Sequence, residues 1–236
     1  MIKINSIRIS SLAVLGFVLV LSNGCKKSED TSSDVVDKDG NVYKTVTINS
    51  QVWMAENLKT TKYQNNELIG TTTVPTSDIS GESSPKYQWP SGGNESNVGT
   101  YGRLYTWYAV IDNRNICPVG WHVPNNVEFS TLMSNLGGDD IAGKKLKELG
   151  TTHWASPNTE ATNESGFTAL PGGYRGYEGS YNFAGYTGYF WSSTEYDANN
   201  AWYRGLYYNG AYDHNLSNNK KVGFAVRCIK GLLPAK

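Results

Sequence analysis

Sulfur and imidazole are the scarce reactive groups of this chain, with three Cys and three His among 236 residues. Cys117 and Cys228 are far apart in sequence. In an oxidising compartment two such residues most simply form one disulfide, and closing so long a loop constrains the unfolded chain by roughly 4–5 kcal/mol in the chain-entropy treatment. Two buried thiols, or a copper or redox centre, are the alternatives. His122, His153 and His214 are scattered, with no His-x-x-x-His or Cys-x-x-Cys spacing of the zinc-holding kind. His122 lies in the strand-like run Trp121-His122-Val123 and reads as a satisfied structural histidine. No Gly-x-Ser-x-Gly elbow is present, and no Cys has a His partner by sequence. The 21 acidic residues allow a carboxylate pair, but sequence does not show the few-ångström separation a glycosidase needs. Gly137-Gly138 and Gly172-Gly173 are not followed by the Lys-Ser or Lys-Thr of a phosphate loop. Asp37-Lys38-Asp39-Gly40 fails as a calcium loop, because Gly40 is at the wrong offset and no Glu closes the twelfth position. The expectation is a non-enzymatic chain with no cofactor and no dedicated metal site.

Aromatic residues offer a different chemistry, that of contact. Tyr174, Arg175, Tyr177, Tyr181, Phe183, Tyr186 and Tyr189 crowd one Gly-rich stretch, and Tyr207, Tyr208, Tyr212, Asp213 and His214 crowd another. Rigid rings among Gly, Ser and Asn give large contact area at low entropy cost, and ring faces stack on sugars. The alternative is that such rings fill a small irregular core. The expected exposed ligand-binding set is Tyr177, Tyr181, Tyr208, Tyr212 and His214; the expected core set is Tyr174, Trp191, Trp202 and Phe224.

The third sulfur implies an address. Lys3 and Arg8 precede an apolar run over residues 12–21, and Ser22-Asn23-Gly24-Cys25 follows. A basic start, a short apolar stretch and a small residue before the cut describe a secretory signal. The run is well short of the ~20 residues that a spanning helix needs. With Cys25 next to the cut, the segment resembles the signal of bacterial lipoproteins, although Ser22 takes the place where a Leu usually stands three residues before the Cys. The resemblance implies acylation of Cys25, and each buried methylene adds about 0.8 kcal/mol to membrane affinity. Lys26-Lys27-Ser28-Glu29-Asp30 is similar to the export signal that places lipoproteins of Bacteroidota on the outer face of the outer membrane. The expected organisation is signal 1–24, lipidated tether 25–34, one domain 35–231 and a tail 232–236. A formal net charge of zero gives no reason to expect a nucleic-acid partner.

Sixteen Tyr, seven Trp and 25 Gly against three Met suggest an irregular, loop-rich, partly β domain. Asp39-Gly40 and Asn49-Ser50 mark turns between short β-prone runs. Residues 67–99 are rich in Ser, Thr, Asn, Gly and Pro, with Tyr87 and Trp89 as isolated anchors, and read as a long surface excursion. Leu104, Trp107, Tyr108 and Ile111 have helical spacing and predict a short helix. Asn125 and Glu128 form a capping-box pattern, and Phe129, Leu132, Met133 and Leu136 share one face before Gly137-Gly138. Residues 141–149 predict a weaker turn of helix broken by Gly143 and Gly150. Strand-like runs begin at Phe167, Tyr189, Ala201 and Val222.

Several stretches in order resemble the Fibrobacter succinogenes major paralogous domain (FISUMP) family. They are Asp39-Gly40-Asn41-Val42-Tyr43, Gln51-Val52-Trp53-Met54-Ala55-Glu56-Asn57-Leu58, Tyr101-Gly102-Arg103-Leu104-Tyr105-Thr106-Trp107-Tyr108-Ala109, Cys117-Pro118-Val119-Gly120-Trp121-His122-Val123-Pro124, Phe167-Thr168-Ala169-Leu170-Pro171-Gly172-Gly173, Phe190-Trp191-Ser192-Ser193-Thr194 and Gly223-Phe224-Ala225-Val226-Arg227-Cys228. The resemblance implies an α+β, C-type-lectin-like fold with two short helices, a small twisted antiparallel sheet and a long loop region. It implies no agreed activity. The Glu-Pro-Asn, Gln-Pro-Asp and Trp-Asn-Asp motifs of calcium-dependent sugar-binding lectins do not occur. The expected function is a surface lipoprotein that binds an extracellular glycan or protein through its aromatic loop face. The alternatives are a structural or assembly subunit of a surface appendage, and an oxidoreductase similar to formylglycine-generating enzymes. Reduced Cys117 and Cys228 in an open groove would favour the last.

Overall fold

Apolar runs this short build short elements, and the described residues fold as many brief strands around four small helices. The computed structural model describes residues 35–231. The expectations for 1–24, 25–34 and 232–236, Cys25 included, lie outside the described residues.

β1 (Val35–Val36) and β2 (Val42–Tyr43) pair antiparallel across Asp39-Gly40, where Gly40 takes φ +84°. Asp37 organises that turn by accepting from the Asp39 and Asn41 amides and from the Tyr43 hydroxyl. β3 (Thr45–Ile48) and β4 (Gln51–Met54) form a second hairpin around Asn49. β5 (Gln88–Pro90) leads through two 3₁₀ turns and the one-turn α1 (Val98–Tyr101) into its antiparallel partner β6 (Arg103–Tyr105). A single turn of helix, α2 (Trp107–Val110), follows. β7 (Trp121–His122) precedes α3 (Asn126–Asn135) and α4 (Asp139–Leu146). β8 (Tyr174–Arg175) and β9 (Tyr181–Asn182) make a small hairpin. The largest sheet is β10 (Thr187–Glu195), β11 (Asn200–Tyr207) and β12 (Asp213–Asn219), antiparallel throughout. The last strand, β13 (Ile229–Lys230), inserts between β4 and β7, giving the order β3-β4-β13-β7. The architecture is mixed α+β, as expected.

The α3 start is as predicted. Asn125 Oδ1 accepts from the Glu128 amide at 2.9 Å, and Glu128 Oε2 accepts from the Asn125 amide at 2.8 Å. Phe129, Leu132, Met133 and Leu136 are buried, and Gly137 and Gly138 leave the helix at positive φ. His122 is the structural histidine expected, buried between Gly231 O (3.1 Å) and Glu128 Oε1 (2.8 Å).

Four expectations need correction. Residues 104–111 do not form one helix, because Tyr105 pairs its backbone with Gln88 and Phe224, which holds β6 extended until Thr106. Residues 67–99 are no loose excursion: Ile69, Ile79 and Trp89 are buried, and Trp89 lies under the Arg175 guanidinium at 3.8 Å. Gly143 does not break α4 but lies within it, where the missing side chain admits the Tyr212 carbonyl and the Lys144 amide donates to Ala211 O at 2.8 Å. The Phe167 run contributes only a bridge between Lys147 and Ala169.

The base is held by indoles and cations rather than by long elements. Trp89, Trp107, Trp154 and Trp191 each donate Nε1–H, to Thr72 Oγ1, Ser192 O, Ala169 O and Tyr105 O, at 2.8–3.0 Å. Burying Phe129, Phe167 and Phe190 stabilises the fold by about 1.5–3 kcal/mol each. Arg227 is buried with Nε donating to Asn57 Oδ1 at 2.7 Å and its guanidinium donating to the Met54, Phe167 and Thr168 carbonyls. Lys147 is also buried, donating to Thr159 O, Tyr207 O and Gly210 O at 2.7–3.1 Å. Burial pushes the Lys147 amine down to about 8. These cations tie loops distant in sequence to one another, since a buried carbonyl needs a donor.

Candidate functional site

Strand parity decides where the aromatic side chains go, because successive residues face opposite sides of a sheet. Cross-strand partners share a face, so Tyr189, Gly205 and His214 lie in one row, with Trp191, Tyr203 and Leu216 in the next. Phe190, Arg204 and Asn215 lie on the other face, where α3 packs and Phe190 and Arg204 are buried.

On the first face the rings form a chain. Phe183 stacks on Tyr174 with centroids 6.0 Å apart and planes 24° apart. Tyr174 meets Tyr189 at 5.9 Å, and Tyr189 meets Tyr207 at 5.9 Å. His214 lies between Tyr207 (5.0 Å) and Tyr212 (4.6 Å), edge to face with both. Beneath the middle, Phe224 touches Tyr174, Tyr189, Trp191 and Tyr203 and is itself buried. The ends of the chain are open: Phe183 is 56% and Tyr212 40% exposed, and the four rings between are half-buried.

Gly205 sets the floor of this row. A Cβ there would stand 3.2 Å from Tyr189 and 3.3 Å from Tyr207, tighter than ordinary contact, so the missing side chain lets the two rings close over the strand without giving way. Burial raises the Tyr174 phenol, with Glu178 and Tyr189 adding to it. Burial, then the neighbouring Tyr189, pushes Tyr203 up to about 12. Tyr207 is raised by burial and by the adjoining Tyr189 phenol. These hydroxyls therefore stay uncharged at neutral pH and serve as neutral donors and acceptors.

Of the five residues expected to bind a ligand, Tyr212 and His214 belong to this chain of rings. The other three do not. Tyr177 is exposed in the turn joining β8 to β9, where its carbonyl accepts from the Ile79 amide. Tyr181 is half-buried against the Arg175 guanidinium, with its hydroxyl directed to Pro75 O at 3.3 Å. Tyr208 is half-buried and paired edge to face with exposed Tyr186 at 5.2 Å. Tyr174 and Trp202, expected in the core, are half-buried; Trp202 packs on Tyr196 at 4.8 Å. Trp191 and Phe224 are buried as expected. The expected binding set leaves out Phe183, Tyr189 and Tyr207, which the crowded stretches include. The alternation of Tyr203, Gly205 and Tyr207 along one strand carried the signal for the last.

Cys117 and Cys228 are bonded, with Cα atoms 6.0 Å apart, and both are buried. Their bond ties the segment before β7 to the segment before β13. No group of three or more metal-ligating side chains occurs among the described residues.

Residues 46–230 match the family model for the Fibrobacter succinogenes major domain. Neither a curated protein nor a solved structure matches the chain.

Proposed function

The chain belongs to the Fibrobacter succinogenes major domain family, and from that premise we propose a binding function: a lipid-anchored surface protein that holds an extracellular glycan or protein against its aromatic face. One observation carries the reading, the row of rings from Phe183 to Tyr212, open at both ends and seated on a sheet whose other face is core. Rings fixed by their neighbours lose little entropy when a ligand covers them. The pairing of β13 beside the β3–β4 hairpin, with α3 and α4 between them in sequence, supports a C-type-lectin-like arrangement. The signal-like start and Cys25 support an acylated anchor in the outer membrane, facing outward.

A glycan and surface-protein screen tests the reading. Capture of a partner that Tyr212→Ala weakens supports it, and silence across both arrays removes it. Cys25→Ser is expected to release the protein from membranes, and protease added to intact cells is expected to degrade it.

The assembly reading has one observation of its own. β12 ends its sheet with no strand beside its outer edge among the described residues, and Leu216 on it is exposed. Such an edge can take a strand from another chain. A proline at Leu216 that abolishes self-association while leaving ligand capture intact would favour it. The oxidoreductase reading required reduced sulfurs in an open groove, whereas these sulfurs are bonded and buried.

A further inference from the structure

We propose that the ring row is a subsite for an extended, uncharged polysaccharide, which lies along Phe183, Tyr174, Tyr189, Tyr207, His214 and Tyr212. This rests on the binding reading above and narrows it to one ligand class.

Three features of the row select that chemistry. First, it is long. Six rings are linked by five contacts with centroids 4.6–6.0 Å apart, and the planes turn by 24–87° from one ring to the next, so the row offers ring edges and hydroxyls as well as faces. A single monosaccharide would leave most of it uncovered. Second, its polar groups are mostly hydroxyls. Four of the six rings carry phenol hydroxyls and none carries a carboxylate or ammonium, while the buried cations are engaged within the fold, Arg204 with Asp213 and Ser130 and Lys147 with the Tyr207 and Gly210 carbonyls. An acidic or basic polymer finds no Lys, Arg, Asp or Glu in the row. Third, of the residue types that anchor protein interfaces it holds Tyr and Phe but no Trp, Arg or Met, which leaves it without a charged anchor. Apolar ring surface beside hydroxyls matches a sugar polymer, whose C–H faces are apolar and whose rim is hydroxyl.

Gly205 makes the row continuous. With a Cβ within 3.2–3.3 Å of both neighbouring rings, Tyr189 and Tyr207 would have to move apart. Gly205→Val therefore alters the row without removing a ring, and Phe183→Ala and Tyr212→Ala shorten it from either end.

The test is affinity electrophoresis of the full chain, kept soluble in a non-ionic detergent without a sugar headgroup, through gels holding neutral glucans, xylans or mannans and, separately, acidic polysaccharides. The expected result is retardation by a neutral polymer that persists when salt is raised to about 1 M, where exposed charge interactions are screened. Affinity should rise with oligosaccharide length up to several units. Phe183→Ala and Tyr212→Ala should each weaken it roughly three- to tenfold. Gly205→Val should weaken it with circular dichroism unchanged. Salt-sensitive retention on acidic polymers alone, or retention indifferent to all three variants, would overturn the proposal. A protein ligand that these variants weaken, with no retention on any polysaccharide, would overturn the glycan assignment while sustaining the binding reading. No ligand of either kind would overturn both.

Discussion

Two regions of this molecule use aromatic residues differently. In the base, Trp89, Trp107, Trp154 and Trp191 are buried, each with its single N–H given to a fixed acceptor. On the outer face of the large sheet, Tyr174, Tyr189, Tyr207 and Tyr212 touch each other or His214 and keep part of each ring in solvent. An indole has one donor and no acceptor, so one carbonyl or hydroxyl satisfies it in the interior. A phenol both donates and accepts and tolerates a wet tip. The same aromatic richness thus builds a rigid base and an adhesive face.

That contrast makes variants separable. The largest stability loss is expected from Cys117→Ser with Cys228→Ser, about 4–5 kcal/mol for a closed loop of this length, the bonded residues being 111 apart. Denaturant unfolding measures it. Arg227→Leu should follow at roughly 3 kcal/mol or more, because it strands the Met54, Phe167 and Thr168 carbonyls and Asn57 Oδ1 in the interior. A cost below about 1 kcal/mol would show that the cation is not a fastener. Gly143→Ala should cost about 1–3 kcal/mol, since the new methyl meets the Tyr212 carbonyl and must push α4 from the loop before β12. As that loop carries Tyr212, this variant alone should disturb both regions.

Acid offers a smaller perturbation of the base. Asp112 accepts from Arg114 at 2.8 Å and lies 2.7 Å from the Lys86 amine, and these hydrogen bonds, the Arg114 pair foremost, hold its carboxyl well below the usual carboxylate range. A carboxyl depressed on folding contributes stability above its unfolded value near 3.9, and that contribution fades as pH falls further. Urea midpoints of the wild type should therefore fall more steeply below about pH 4 than those of Asp112→Asn. Parallel profiles would remove Asp112 from the account.

Much of the base was legible in the sequence because its signals are local. Asn125 and Glu128 stand three apart and close a capping box whatever surrounds them, and Gly40 marks its turn by residue type alone. Two cysteines far apart in the sequence suggest their own bond. The errors arose where a distant partner decided. Leu104 fitted a helical period, but β5 and Phe224 recruited it into a strand. Gly143 looked like a break until the Tyr212 carbonyl occupied the space beside it. Trp89 looked isolated because Arg175, which covers it, comes 86 residues later (175 less 89). The face is half legible: local crowding points to Tyr212 and His214, whereas Tyr189 and Tyr207 meet only through cross-strand register.

The division between base and face is tested most directly on one protein, the double variant Phe183→Ala with Tyr212→Ala, measured for both unfolding free energy and ligand retention. Both rings are partly open to solvent at the ends of the row, so stability should remain within about 1 kcal/mol of wild type while retention is lost. Retention equal to wild type at unchanged stability would contradict the account, because the rings would then be ornament and the ligand would lie elsewhere.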